Sequence, residues 1–140
     1  MPAKFGETVI QANPATIATT GNTDIYVIAP KNAELTEALF SGTTALAANG
    51  SNYVTFSITN LGQAGAGSAA LLAATDANTT KTTTGTALAA HTKRTLTLST
   101  TLSDLKVVAG DRLRVRVAAT GTLANTVAEP VFTLRFAWRL

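Results

Sequence analysis

The chain has 140 residues, a length that suits a single domain whose core is large enough to fold without metals or disulfide bonds. It contains no cysteine, which excludes disulfide bonds and thiolate zinc sites, and we expect neither a metal nor a cofactor. Only 14% of the residues are charged, and the formal net charge is +3, with the basic residues spread along the chain. Nucleic-acid-binding proteins cluster basic residues with exposed aromatics, so the composition argues against nucleic acid as a partner.

No apolar stretch in the sequence reaches the length that spans a membrane, and residues 1–11 lack the apolar segment of a signal peptide. We therefore expect no membrane partner. We also expect synthesis in the cytoplasm, where the protein either remains or is packed into a particle.

The first third of the chain shows the two-residue period of β-strands. Strands are predicted at residues 8–12 and 24–29. The second of these is apolar on both faces, which indicates a strand buried between two layers, and Pro30 ends it because proline has no N–H to donate. Residues 33–42 fit either a helical segment or a strand, and the β-rich context favours the strand. That strand would place on one face Leu35, Glu37 and Leu39.

The clearest strand follows the turn signal Asn49–Gly50. Its predicted inward residues are Val54, Phe56 and Ile58. The Gly-Ala run at 62–70 predicts a loop, and the apolar run at 70–75 predicts a short strand. Residues 76–85 are polar and low in complexity, which predicts an exposed surface loop or hairpin.

The last third of the chain completes the β pattern. Residues 93–100 alternate, with Leu96 and Leu98 facing inward. Residues 109–111, Ala-Gly-Asp, predict a tight turn between two strands. The final strand, 130–140, carries much of the aromatic core, so its truncation should be costly. Its predicted inward face consists of Phe132, Leu134, Phe136 and Trp138.

Eight to nine short strands without a long helical pattern predict an all-β protein. Two sheets must pack face to face, because a single open sheet would leave one apolar face in water. We predict a jelly-roll-like antiparallel β-sandwich that forms a single domain over residues 1–140. Residues 1–7 are a candidate flexible N-terminal arm.

The stretch 112–117 reads RLRVRV, so on a strand three arginines share one face and three aliphatic residues the other. These arginines are Arg112, Arg114 and Arg116. The row can bind an acidic protein, contact nucleic acid, or serve as a solvated face that keeps the sheet soluble. A guanidinium forms two parallel hydrogen bonds with a carboxylate, which suits a protein interface. The hypothesis of nucleic-acid binding is disfavoured, because no exposed aromatic residues alternate with these arginines as they do in nucleic-acid-binding sites.

No catalytic signature is present. The single histidine, His91, can be grouped with Asp104 and either Ser99 or Ser103, but no nucleophile elbow accompanies them. Such trios arise by chance in any chain, and His91 is expected in a loop. We therefore expect the protein not to be an enzyme. An enzymatic function would require a deep pocket around His91.

Residues 94–136 resemble a pattern found in small structural proteins of tailed bacteriophages, with matching points at the Ala-Gly-Asp turn of 109–111 and the Thr-Gly-Thr loop of 120–122. The resemblance implies a non-enzymatic virion protein, a decoration or cement protein that stabilises the capsid where capsomers meet. It also implies a homo-oligomer, typically a trimer, that binds the major capsid protein. Such a protein is located on the capsid surface of a particle assembled in the host cytoplasm.

The resemblance gives the arginine row a candidate role, which is docking on an acidic shell or on carboxylates of a neighbouring subunit. The arm, with Lys4 and Phe5, is a second interface candidate, because such segments can add a strand to a neighbour's sheet edge. The alternatives are a solvated sheet face and a frayed terminus. A function of another class is a receptor- or glycan-binding module of a tail or head fibre. An exposed Tyr26 or Tyr53 in a shallow groove would favour that function.

Overall fold

Nine β-strands lie within residues 6–139, which are the residues that the computed structural model describes. They are β1 (Glu7–Ala12), β2 (Gly21–Ile28), β3 (Ala33–Ser41), β4 (Tyr53–Asn60), β5 (Ala69–Ala70), β6 (Arg94–Thr95), β7 (Lys106–Val107), β8 (Arg112–Thr120) and β9 (Val131–Trp138). Two short 3₁₀ helices span Asp76–Asn78 and Leu102–Leu105. No helix in this part of the chain is long and apolar enough to cross a membrane.

The strands form two antiparallel sheets packed as a sandwich. The first sheet has the order β1-β9-β3, with the short strands β6 and β7 both paired to β3. The second sheet has the order β2-β8-β4-β5. Strands β1 to β4 alternate between the sheets, and β8 and β9 also lie in different sheets, which is the strand order of a jelly roll. The predicted all-β, jelly-roll-like sandwich is confirmed.

The core lies between the two sheets and is built from the alternating strands that the sequence indicated. Phe56 on β4 packs against Phe40 on β3 and Phe132 on β9, with ring centroids 4.8 Å and 6.1 Å apart. Phe40 and Phe132 are themselves 5.1 Å apart. The three rings therefore contact one another across the two sheets, whose packing buries the apolar faces of β3, β4 and β9.

Strand β2 is not buried between layers, so that prediction is wrong. It is an edge strand of the second sheet, and only one of its faces meets the core. On its outer face, Tyr26 is 43% exposed and Ile28 is 57% exposed. A two-layer sandwich has no third layer to cover that face.

Strand β3 is a strand, as favoured, but its predicted alternation is wrong. Leu35 pairs with Phe136 and Glu37 pairs with Arg135, so Thr36 is an extra residue in a β-bulge. The bulge shifts the alternation by one residue. As a result Leu35, Ala38 and Phe40 face the core, while Glu37 and Leu39 lie on the outer side.

Residues 76–85 were predicted as an exposed loop, yet Asn78, Thr79 and Thr80 are buried. The Nδ2 group of Asn78 donates to the carbonyl oxygens of Ala73 and Thr97, both at 2.8 Å. The Oγ1 atom of Thr80 accepts a hydrogen bond from Val54 N at 3.0 Å. These side chains supplement the backbone bond from Thr80 N to Val54 O on β4, so their polarity serves buried backbone groups rather than the solvent.

Two predicted strands are shorter than expected. The strand predicted at 70–75 is reduced to β5, which covers residues 69 and 70. The strand predicted at 93–100 is reduced to β6, which covers residues 94 and 95. Leu96 is buried as predicted, and Leu98 is partly buried and packs against the core.

The N-terminal arm is only partly within the described residues. Glu7 is the first residue of β1, and Gly6 O accepts a hydrogen bond from Trp138 N at 2.9 Å, so residues 6 and 7 belong to the first sheet rather than to an arm. The interface candidates Lys4 and Phe5 lie outside the described residues.

Candidate functional site

The three arginines of the row lie on the outer face of the second sheet. They project from β8, which runs between β2 and β4, and the intervening aliphatic residues of β8 are buried in the core. The row therefore crosses the middle of an open sheet face. We call the outer face of β2, β8 and β4 the basic face, because three guanidinium groups stand there against the single carboxylate of Asp24.

Arg116 is neutralised within the chain. Its Nε and Nη2 groups donate to the two carboxylate oxygens of Asp24 at 2.7 Å and 2.9 Å, across the β2–β8 pair. The hydrogen bond from Arg116 lowers the pKa of Asp24, against the opposing effect of burial, and the same bond raises the pKa of Arg116.

Arg112 is paired with an aromatic ring instead of an acid. Its guanidinium carbon lies 4.2 Å from the ring centroid of Tyr26 on β2. This cation–π contact orients the side chain but leaves its charge in place, and Arg112 is exposed. Arg112 is therefore available to a carboxylate from outside.

Arg114 lies between these two residues and forms no ion pair with a described carboxylate. Its neighbours across the strands are Tyr26 on β2 and Thr59 on β4. Its Nε atom is buried and has no hydrogen-bond partner within residues 6–139. A buried guanidinium nitrogen without an acceptor is destabilising, and because this atom is buried a carboxylate from outside would have to pair with the rest of the Arg114 guanidinium.

An open groove adjoins the row. It has a volume of about 580 Å³ and lies where β2 ends, β8 begins and the loop 61–65 folds over. Tyr26, Ile28 and Leu61 supply apolar surface, while Arg112 and the Gln63 amide supply polar groups. Sequence reasoning missed this groove, because the loop residues that form it carry no pattern beyond their glycine content.

The Ala-Gly-Asp motif at 109–111 has a structural role. The buried carboxylate of Asp111 accepts hydrogen bonds from Val108 N at 2.8 Å and from Asn60 Nδ2 at 2.9 Å, while Asp111 N donates to Val108 O at 2.9 Å. Gly110 has a φ of +94°, which favours glycine. The predicted tight turn is present, and it carries the chain from the first sheet to the second.

The Thr-Gly-Thr motif at 120–122 is also structural. Gly121 has a φ of +68°, and Thr122 N donates to Asn52 Oδ1 at 3.1 Å. A Cβ atom at position 121 would collide with Asn52 and with the carbonyl oxygen of Ser51. Both motifs that carry the resemblance therefore fix turns of the sandwich.

The grouping of His91 with Ser99 and Asp104 does not form a catalytic trio in the described residues. Ser99 Oγ donates to Asp104 Oδ2 at 3.3 Å, but the His91 side chain makes no hydrogen bond to either of them. His91 is an exposed residue with a φ of +55°, and its N–H donates to Gly42 O at 2.7 Å. Among residues 6–139, no three His, Cys, Asp or Glu side chains lie close enough together to hold a metal ion.

Arg94 is a basic residue whose role sequence reasoning missed. Its guanidinium donates to the carbonyl oxygens of Thr86, Ala77 and Thr79 at 2.6, 2.9 and 2.7 Å, and lies 5.7 Å from the ring centroid of Phe56. Burial lowers the pKa of Arg94. The residue therefore holds the 77–86 segment on the sandwich and is not part of the basic face.

Comparison with known proteins adds no relative. No model of a known protein family matches the chain. Searches of the curated proteins and of the solved structures also found no match.

Proposed function

We propose that this protein is a non-enzymatic structural protein of a bacteriophage particle, which decorates the capsid and stabilises it at the junctions between capsomers. In this role it acts as a homo-oligomer, typically a trimer, on the outer surface of a shell assembled in the host cytoplasm. Its protein partners are other copies of itself and the major capsid protein.

The observation that carries the proposal is the incomplete neutralisation of the basic face. Only Arg116 has a carboxylate partner, whereas Arg112 and Arg114 do not form an ion pair within the described residues. Like charges on one strand repel one another, and each guanidinium can bind a carboxylate through two hydrogen bonds. Carboxylates supplied by another protein would complete this face, which supports docking in preference to a purely solvating role.

A jelly-roll sandwich with structural turns also supports the proposal. The residues of the resembling segment, 94–136, build the core strands β8 and β9 and the turns that precede and link them. The fold thus gives these motifs a structural role in turns. Such a role agrees with a protein that mechanically stabilises a shell.

A glycan- or receptor-binding module of a tail or head fibre is the second candidate. It is favoured by Tyr26, which is 43% exposed and lines the open groove. However, the guanidinium of Arg112 already lies over the Tyr26 ring, so that ring face is occupied where a sugar would stack. Tyr53 is partly buried and has Lys81 Nζ 5.5 Å from its ring centroid.

The test is cosedimentation of the purified protein with capsids that lack it. We expect the wild type to bind, and we expect Arg112→Glu/Arg114→Glu to reduce the affinity by roughly tenfold or more, because two attractive interactions become repulsive. The control Lys93→Glu/Lys106→Glu makes the same change in net charge on exposed residues outside the basic face and should bind within about twofold of the wild type. Wild-type protein that fails to bind capsids would overturn the proposed function.

A further inference from the structure

We propose that the basic face and its groove form a binding site for an extended, acidic segment of a partner protein, with two carboxylates at Arg112 and Arg114 and one apolar side chain in the groove. This inference rests on the proposed function and deepens it, because it names the chemistry that the partner brings to the surface.

The site begins with a square of four side chains on two paired strands. In the β2–β8 register, Tyr26 is opposite Arg114 and Ile28 is opposite Arg112. All four residues lie on the outer face of the sheet, so two large apolar side chains stand beside two guanidinium groups. Ile28 and Tyr26 are 57% and 43% exposed, which is unusual for large apolar residues side by side.

The spacing of the arginines selects an extended ligand. Residues two apart on a strand are separated by about 6.8 Å, and an extended peptide repeats its own side chains at the same interval. Carboxylates at positions i and i+2 of such a segment therefore reach Arg112 and Arg114 together. The next residue on the same side of the segment then lies one step beyond Arg112, at Gly110, where it enters the groove between Ile28 and Leu61.

Asp24 limits the site to two carboxylates. Because its carboxylate already pairs with the Nε and Nη2 groups of Arg116, a third carboxylate at that position would meet a negative charge. Arg112 and Arg114 form no ion pair with a carboxylate of residues 6–139, so these are the two positions at which a partner's carboxylates can pair.

A protein segment suits this surface better than a nucleic acid. Base stacking needs free aromatic faces, and the ring of Tyr26, the large aromatic exposed on this face, is covered on one side by Arg112. The Asp24 carboxylate in the row would also repel a phosphate backbone, which extends its negative charges along its whole length.

The experiment is a titration of the isotope-labelled protein, followed by amide chemical shifts, with the peptide acetyl-ESESLSESE-amide. This probe presents the acid–acid–apolar repeat in both chain directions. We expect saturable shift changes concentrated at residues 26–28, 61–65 and 110–114. Two matched peptides, QSQSLSQSQ without the charges and ESESSSESE without the apolar anchor, should each bind at least tenfold more weakly.

Variants separate the contributions of charge and anchor. Arg112→Gln/Arg114→Gln should abolish saturable binding, whereas the control Lys93→Gln/Lys106→Gln should leave it within twofold of the wild type. Ile28→Ser should weaken binding about tenfold, because the apolar side chain of the peptide would then pack against a polar residue. Asp24→Asn, which frees Arg116, should strengthen binding.

The inference is overturned if shifts are absent at 10 mM peptide, if they survive Arg112→Gln/Arg114→Gln, or if the oligonucleotide dT10 or a glycan array gives the stronger binding. Its failure is distinguishable from failure of the proposed function. Capsid binding that persists in Arg112→Gln/Arg114→Gln would remove this site and keep the decoration role, whereas peptide binding without capsid binding would keep the site and remove the capsid as its partner.

Discussion

Arg116 holds Asp24 through two hydrogen bonds of 2.7 Å and 2.9 Å that cross from β8 to β2. The pair fixes the edge strand β2 to the centre of its sheet. It also divides the arginine row into one residue that is satisfied within the chain and two that are not. Arg116 therefore has a structural role, while Arg112 and Arg114 are the residues on which the proposed binding depends.

The first prediction concerns the pH dependence of this ion pair. Asp24→Asn should lower the free energy of unfolding by about 0.5–1 kcal/mol at pH 7, since the pair is partly exposed. The pKa of Asp24 is lowered in the folded state from its ordinary value of 3.8, so its contribution is present above that value and is lost as the pH falls through the folded pKa. Urea denaturation of both proteins between pH 7 and pH 2 measures this difference.

The difference between wild type and Asp24→Asn should be constant above about pH 5 and should shrink below pH 4. Arg116→Gln should cost a similar amount, and adding it to Asp24→Asn should cost little more. A difference that grows as the pH falls would show that the pair does not stabilise the fold.

The second prediction concerns Arg94. Arg94→Met should lower the unfolding free energy by about 2–3 kcal/mol, because the carbonyl oxygens of Ala77 and Thr86 lose the Arg94 donor and that of Thr79 keeps only the weaker bond from Thr86 N. The adjacent exposed residue gives a matched control, and Lys93→Met should change stability by less than about 0.5 kcal/mol. If Arg94→Met and Lys93→Met lowered the melting temperature equally, the guanidinium of Arg94 would have no structural role.

The third prediction concerns the Ala-Gly-Asp turn. Asp111→Ala should destabilise the protein by about 2 kcal/mol, since Val108 N and Asn60 Nδ2 both lose their acceptor at a buried site. Asp104→Ala removes a carboxylate that accepts only one side-chain hydrogen bond, of 3.3 Å, and should cost less than about 1 kcal/mol. Chemical denaturation would contradict this ranking if Asp104→Ala were the more harmful change.

The fourth prediction concerns the C-terminus. Deletion of residues 138–140 should lower the unfolding free energy by at least about 3 kcal/mol. Trp138 Nε1 donates to Thr8 Oγ1 at 2.6 Å, and the Arg139 guanidinium donates to the carbonyl oxygens of Ala33 and Val107. The deletion therefore removes hydrogen bonds to β1, β3 and β7 at once.

Trp138→Phe is the control for this deletion, because it keeps an aromatic ring and the last residues while removing the indole hydrogen bond. We expect it to lower the unfolding free energy by about 1 kcal/mol. A truncated protein with the melting temperature of the wild type would contradict the prediction that the last strand closes the sandwich.

The sequence predicted the parts of the fold in which alternation and turn chemistry agree. Strands β4 and β9 alternate without interruption, and the glycine turn before β8 has a single interpretation. The bulge at Thr36 was not predictable, because an extra residue reverses the alternation without any local signal. The burial of Asn78 and Thr80 was missed for a related reason: a polar side chain that serves buried backbone looks like one that faces water.

The site was predictable only in part. Alternation placed the three arginines on one face, but their partners come from distant strands, so the sequence could not distinguish Arg116 from Arg114. The exposure of Ile28 depends on β2 being an edge strand, which is a property of the whole topology. The groove likewise exists only where the loop 61–65 meets the ends of β2 and β8.

The proposed decoration of a bacteriophage shell is best tested by the copy number of this protein in purified particles of the phage that encodes it. Quantitative mass spectrometry measures that number against the major capsid protein. We expect hundreds of copies per particle, in a fixed ratio to the capsid protein. A handful of copies would indicate a tail or fibre module instead, and complete absence from the particle would contradict the proposed function.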